Sequence, residues 1–333
     1  PRVCGKALKI ILEDTFGRRF RYLRLSITDV CNFRCVYCLP DGYTCEEPRD
    51  FLRVDEVTRL VKTFAELGTT KIRLTGGEPS LRKELPEMIR VCKQTPGIES
   101  VAVTTNGYKL TTQIKDWVDA GLDALNISMD SLDPRMFQSL TGHDKFEEIM
   151  TGIDMAFALG LKTIKINAVL LRQHNAHEFQ SFLDWVKDKP ITLRFIELMK
   201  TGDSPKFFED NHVSGALLKE KILAQGWQRI IRSKDAGPAQ EFQHPDHQGR
   251  IGLIMPYSKD FCSTCNRLRI SARGKLHLCL FSEYGLDLRE FLQEDDSDAL
   301  ANQIRHLLQD KEATHYLHDG LTGGTKHLAM LGG

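Results

Sequence analysis

The sequence predicts an α/β protein with a parallel sheet, and three observations carry that prediction. Six short strand-like runs recur up to residue 197, a helical pattern fills the gaps between them, and the alternation stops near Met199. Strand then helix, repeated six times, calls for right-handed crossovers between parallel strands, in either an open doubly wound sheet or a partial barrel. In both architectures ligands gather at the carboxyl ends of the strands.

The runs are "RYLRLSI" (21–27), "KIRLT" (71–75), "SVAVTT" (100–105), "DALNISM" (123–129), "KTIKINAVL" (162–170) and "ITLRFIE" (191–197). Between the first two, Val57, Leu60, Val61, Phe64 and Leu67 form one helical stripe, and Gly68 is placed to end it. "ELPEMIRVC", "IKDWVDAG", "FEEIMTGIDMAFALG" and "AHEFQSFLDWVKD" fill the later gaps in the same way. After Met199, "KTGDSPKFFEDNH" reads as a loop, "VSGALLKEKILAQG" as a helix ending at Gly226, and residues 233–250 as a connector without periodicity. "RIGLIMP", "NRLRIS" and "KLHLCL" follow as strands, the last two joined by "ARG" in a short hairpin. "LDLREFLQ" and "SDALANQIRHLLQDK" read as helical, ahead of a Gly-rich tail ending Gly332-Gly333.

A chain of 333 residues with 41% hydrophobic residues can bury a core the size of one barrel plus an extension. Lys and Arg balance Asp and Glu at 45 each, so no global field points to nucleic acid or a membrane as partner. No apolar run reaches the roughly 18 residues of a membrane span, and the charged opening segment is not read as a signal peptide. The expectation is a cytoplasmic protein whose nine cysteines are thiols or metal ligands rather than bridges.

Two cysteine groups carry the chemistry. Cys31-x3-Cys35-x2-Cys38 follows the first strand, and Cys262-x2-Cys265-x13-Cys279 brackets the hairpin. Each has three thiols, whereas a zinc clamp or an ordinary iron–sulfur cluster uses four ligands. Three thiolates leave one iron of a [4Fe–4S] cubane open to a chelating molecule. A zinc site that borrows a distant ligand, or a set of structural thiols, is the plainer alternative. "TGGEP" (75–79) and "NISMDS" (126–131) end the second and fourth strands, where a glycine pair exposes backbone to a ligand and permits a strained turn before Pro79. Arg267 and Arg269 lie two apart on one strand and so point to one face, a suitable pair for a polyphosphate.

The first cysteine group with Tyr37, followed by "TGGEP", resembles the radical S-adenosylmethionine (SAM) superfamily. The resemblance implies a partial (β/α)6 TIM-like barrel, with the amino and carboxylate groups of SAM on the open iron and Tyr37, Gly77, Ser128 and Met199 lining the SAM site. "YLRLSITDVCNFRCVYC", "IRLTGGEPSLR", "VTTNGY", "RFIELM", "FCSTCNRLRIS" and the terminal Gly-Gly resemble the GTP 3′,8-cyclase (MoaA) family of molybdenum cofactor biosynthesis, from about Thr15 onward. That likeness implies two [4Fe–4S] clusters on Cys31, Cys35, Cys38 and on Cys262, Cys265, Cys279. It implies GTP contacts from Arg24, Arg73, Thr104, Lys165, Arg267 and Arg269, and catalytic roles for Arg267, Arg269, Gly332 and Gly333. The implied reaction is abstraction of the ribose C3′ hydrogen of GTP by a 5′-deoxyadenosyl radical, then joining of C3′ to guanine C8.

The expected division is residues 1–14 as a segment outside the fold argument, 15–232 as the radical SAM barrel and 233–333 as the auxiliary-cluster region with its tail. Expected partners are GTP, a reductant or electron-donor protein and the next enzyme of the pathway, with the chain a monomer or homodimer. Cys4, Cys45 and Cys92 match no ligand position. Cys92 falls on an apolar stripe with Leu85, Met88 and Ile89, which reads as core. A radical SAM enzyme that modifies a peptide is the nearer rival, and a zinc-binding interaction module the farther one. Anaerobically isolated protein should therefore be brown and hold about eight irons rather than zinc, a difference read by metal analysis.

Overall fold

All six strand-like runs form parallel strands. The computed structural model describes residues 11–44, 48–202, 205–232, 236–294, 296–324 and 328–331. The strands are β1 (Tyr22–Ser26), β2 (Lys71–Thr75), β3 (Ser100–Thr105), β4 (Ala124–Ser128), β5 (Thr163–Val169) and β6 (Thr192–Ile196), hydrogen-bonded in that order. The crossovers contain α1 (Val54–Glu66), α2 (Leu85–Gln94), α3 (Leu110–Asp119), α4 (Pro134–Thr141), α5 (Phe146–Ala158) and α6 (Phe179–Trp185). Every residue of β1 is buried, as expected of a sheet covered on both faces. Leu23, Leu25, Ile72 and Leu74 are fully buried in the main apolar core. Arg24 and Arg73 alternate with them and therefore point to the opposite face, the barrel interior.

Local chemistry sets the helices. Val57, Leu60, Val61 and Phe64 of α1 are fully buried. The buried Glu56 closes the start of this helix by accepting from the Arg53 backbone N–H. In α4, Asp133 accepts from the backbone of Arg135 and Met136, Pro134 begins the first turn, and Gly142 ends the helix at φ 78°. Cys92 is fully buried in the core on α2.

Beyond β6 come α7 (Pro205–Asn211), α8 (Gly215–Ala224), β7 (Gln228–Arg229), β8 (Gln240–Gln243), β9 (Arg250–Ile254), β10 (Arg267–Ile270), β11 (Lys275–His277), β12 (Leu286–Asp287) and α9 (Ser297–Leu308). The strands extend the barrel sheet at both edges, giving the order β12-β11-β10-β1-β2-β3-β4-β5-β6-β9-β8-β7. β10 runs parallel to β1, with Tyr22 opposite Arg267 and Arg24 opposite Arg269. β9 runs parallel to β6. The sheet is a partial barrel, left open between β12 and β7.

Three local expectations change. The stretch read as a loop before His212 contains α7, too short to show a helical period. The connector contains β8, which pairs with β9. "LDLREFLQ" forms β12 and a 3-10 turn at Arg289–Leu292 rather than a helix. Among the described residues no helix is long and apolar enough to cross a membrane.

The opening segment is partly built into the fold. Leu12 is buried, and Glu13 bridges Arg19 in a small antiparallel pair. Arg18 bonds Asp14 at 2.6 Å, with both side chains buried, and donates to the carbonyls of Cys262, Glu312 and Ala313. It thereby ties the start of the barrel to the C-terminal region. Arg18→Met should destabilise the protein by about 3–5 kcal/mol, because it strands a buried carboxylate and three carbonyls. Urea unfolding would measure the loss.

Candidate active site

Cys31, Cys35 and Cys38 lie on the loop that leaves β1, half-buried and unbridged. The loop is fixed from two sides. Arg34 and Val36 donate backbone bonds to Thr141 and Leu140 at the end of α4, and Phe33 stacks on His143 with centroids 4.9 Å apart. On the other side, the backbone N–H groups of Gly77 and Glu78 donate to Thr28 and Val30.

The glycine pair has a reason different from the expected one. A Cβ on Gly76 would lie 2.3 Å from the Thr28 carbonyl oxygen, and one on Gly77 would lie 2.4 Å from that of Val30. Neither glycine has a positive φ, so no strained turn precedes Pro79. The pair lets two backbones touch and so seats the cysteine loop. Glu78, fully buried, accepts from Ser80 N, Thr105 Oγ1 and Asn106 N, locking this turn to β3.

Burial pushes the thiols up, to about 11 for Cys31 and about 12 for Cys38, and Cys35 well above the usual range. The strongest charge effects on the trio come from one another, Glu78 and Asp130, all of them negative. Three such thiolates need a cation. Tyr37 donates its O–H to Asp130 at 2.9 Å, and burial lifts the Asp130 carboxyl to about 6.

Cys262, Cys265 and Cys279 line a cavity of about 1000 Å³ inside the barrel. Ten Arg and Lys side chains line it against three Asp and Glu, so this wall suits a polyanion. Arg269, Arg24 and Arg73 stand opposite one another on β10, β1 and β2. Lys71, Lys165 and Arg194 complete the far wall, with Arg194 held by Asn126 at 2.6 Å and Asn167 at 2.9 Å. The Nε of Arg73 and the Oγ1 of Thr104 are buried with no hydrogen-bond partner among the described residues. Burial, then Arg194, Lys71 and Arg73, lowers Lys165 to about 7. Burial would raise the Cys265 thiol, but Arg267 and Lys311 bring it down to about 7.

The C-terminal tail connects the two thiol trios. The backbone at Leu328 and Ala329 reaches Cys38 and opposes the rise of its thiol, and the Leu331 carbonyl accepts from Arg269 at 3.0 Å. Gly332 and Gly333, Cys4 and Cys45 lie outside the described residues.

Arg24, Arg73, Lys165, Arg267, Arg269 and Met199 all line the cavity. Cys31, Cys35, Cys38, Tyr37, Gly77, Thr104 and Ser128 do not, and cluster instead at or beyond the carboxyl ends of the strands. Sequence reasoning missed Lys71, Arg194, Arg18, Arg232 and Lys311 on the cavity wall. The signal for Lys71 was present, since it lies two residues before Arg73 and so on the same face of β2.

Family models match as "Radical SAM superfamily" over residues 25–186 and "Molybdenum Cofactor Synthesis C" over residues 191–317. Proteins named GTP 3′,8-cyclase from Vibrio atlanticus and Aeromonas hydrophila are each 55% identical to this chain. The first match covers 96% of this chain and 97% of the relative, the second 100% and 99%. Among solved structures, Streptococcus suis SuiB bound to S-adenosylmethionine has a TM-score of 0.61 at 13% identity, covering 86% of this chain and 68% of that one. That likeness shows the fold alone.

The crowded cations generate a pH dependence. A lysine at about 7 in the fold binds fewer protons there than in the unfolded chain, where it titrates near 10.5. Stability should therefore rise from about pH 7 toward pH 10.5, and Lys165→Met should flatten that rise while adding stability at pH 7. Urea titrations of both proteins across the window check it.

Proposed function

The chain belongs to the GTP 3′,8-cyclase family of radical SAM enzymes, and from that premise we propose how its residues divide the work. The enzyme is a lyase acting on GTP in molybdenum cofactor biosynthesis, and its product is 3′,8-cyclo-7,8-dihydro-GTP. The radical SAM domain carries SAM and a [4Fe–4S] cluster. One observation supports the assignment of roles above all others: Cys262, Cys265 and Cys279 share a cavity wall with the ten basic side chains.

The residues fit the groups. Cys31, Cys35 and Cys38 would hold the SAM cluster, in surroundings whose negative charge suits a sulfonium. Cys262, Cys265 and Cys279 would hold a second [4Fe–4S] cluster beside cations, where a nucleotide can meet it. When bound, the first cluster and SAM would supply the 5′-deoxyadenosyl radical chemistry that removes the C3′ hydrogen of the ribose as 5′-deoxyadenosine, and the joining of C3′ to guanine C8 would be completed by a further electron and a proton that reduce the resulting base radical.

The chain's own groups bind, orient and shield. Lys71, Arg73, Lys165 and Arg194 would clasp the triphosphate, with the unpartnered Arg73 Nε available to its oxygens and Thr104 Oγ1, outside the cavity wall, available to the nucleoside. Arg24, Arg267 and Arg269 span the distance to the second trio and hold the nucleoside in line. Tyr37, fixed by its bond to Asp130, would present backbone to the adenine, and Gly77, Ser128 and Met199 would border the same ligand. The described part of the tail ends at Leu331, whose carbonyl accepts from Arg269, and catalytic roles for Gly332 and Gly333, which carry no side chain, are part of this proposal. An external one-electron reductant would start each turnover.

Anaerobic protein reconstituted with iron and sulfide should release 5′-deoxyadenosine from SAM and dithionite only when GTP is added. Cys279→Ser should drop the iron content from about eight to about four and abolish the cyclised product, while the first cluster still cleaves SAM slowly. Eight irons retained in that variant, or GTP-independent release by the parent, would contradict these roles.

A further inference from the structure

We infer that Tyr22 is a further substrate-contact residue, its phenol O–H donating to a phosphate oxygen of the bound nucleotide. The inference deepens the GTP reading and rests on it. Tyr22 begins β1 and stands in register between Arg267 on β10 and Lys71 on β2. It lines the cavity, is 4% exposed, and its hydroxyl has no hydrogen-bond partner among the described residues.

Its neighbours explain why. Lysine and arginine donate hydrogen bonds and accept none, so a wall of cations offers the phenol hydrogen no acceptor. Lys71 Nζ lies 5.0 Å and Arg73 Cζ 5.3 Å from the ring centroid, as cation–π neighbours. A phenylalanine would keep those contacts and remove the orphaned hydroxyl. In the unliganded fold the hydroxyl is therefore a net cost. The cost is recovered only by a ligand that brings acceptors into this cation-lined space, and phosphate oxygens are the acceptors such a wall attracts.

The charge state agrees. Burial alone would raise the phenol, but Arg73, Arg24, Lys71 and Arg194 outweigh it and bring it down to about 8. A phosphate arriving among the same cations offsets their pull and favours the protonated, donating phenol.

Tyr22→Phe tests the inference in the anaerobically reconstituted enzyme, with GTP and inorganic tripolyphosphate as ligands in equilibrium dialysis and a thermal melt alongside. Both ligands should bind roughly ten-fold more weakly to the variant, and its Tm should equal or exceed that of the parent. Equal affinities, or a lowered Tm, would overturn the inference. Weaker GTP binding with tripolyphosphate unchanged would also overturn it, by turning the hydroxyl toward the nucleoside. A parent enzyme that does not bind GTP would count against the substrate reading instead, and the tripolyphosphate comparison would still decide the role of the phenol.

Discussion

Three guanidiniums in register on three adjacent strands set the terms for the rest of the structure. Arg269, Arg24 and Arg73 face the barrel interior side by side, although like charges opposite one another weaken a strand pair. The strands hold because their other faces are apolar: Leu23, Leu25, Ile72, Leu74, Leu268 and Ile270 are all at most 1% exposed. Stability comes from the layer between sheet and helices, which frees the interior to be arranged for binding. Such an interior is least favourable when empty and suits an anion, so the proposed recognition of a triphosphate would be built into the strands rather than grafted onto a loop.

The two thiol trios sit in opposite electrostatic settings. The first is surrounded by its own thiols, Glu78 and Asp130, and burial keeps those thiols hard to ionise. The second lies beside Arg267 and Lys311, which draw Cys265 toward its thiolate. A cationic ligand at one end and an anionic one at the other follow from the same barrel by Coulombic attraction. The tail touches both ends, its backbone at Leu328 and Ala329 reaching Cys38 and its Leu331 carbonyl accepting from Arg269.

Much of this was legible in the sequence for a local reason. The six crossovers showed themselves because the hydrophobic period switches between strand and helix spacing, and Gly68, Gly121 and Gly160 punctuate the switch. The cysteine trios stood out by their spacing, which left a zinc site open, and "TGGEP" with the wider motifs pointed to clusters instead. What stayed hidden depends on register. That β9 and β10 join opposite edges of the barrel is set by pairing across long stretches of chain, which no local pattern records. Arg194 looked like an ordinary polar strand residue until pairing placed it on the inner wall. The balanced overall charge also concealed the cavity, whose wall is strongly basic although the formal net charge of the chain is zero. Gly76 and Gly77 were singled out correctly, but they serve backbone contact with Thr28 and Val30.

In the proposed arrangement, two iron clusters flank one basic chamber and the triphosphate lies between them. Iron-edge anomalous diffraction from crystals grown anaerobically with SAM and GTP tests it directly. Two iron centres are expected, one on each cysteine trio, with phosphate density against Lys71, Arg73, Lys165 and Arg194. A single iron centre, or phosphates bound outside that wall, would contradict it.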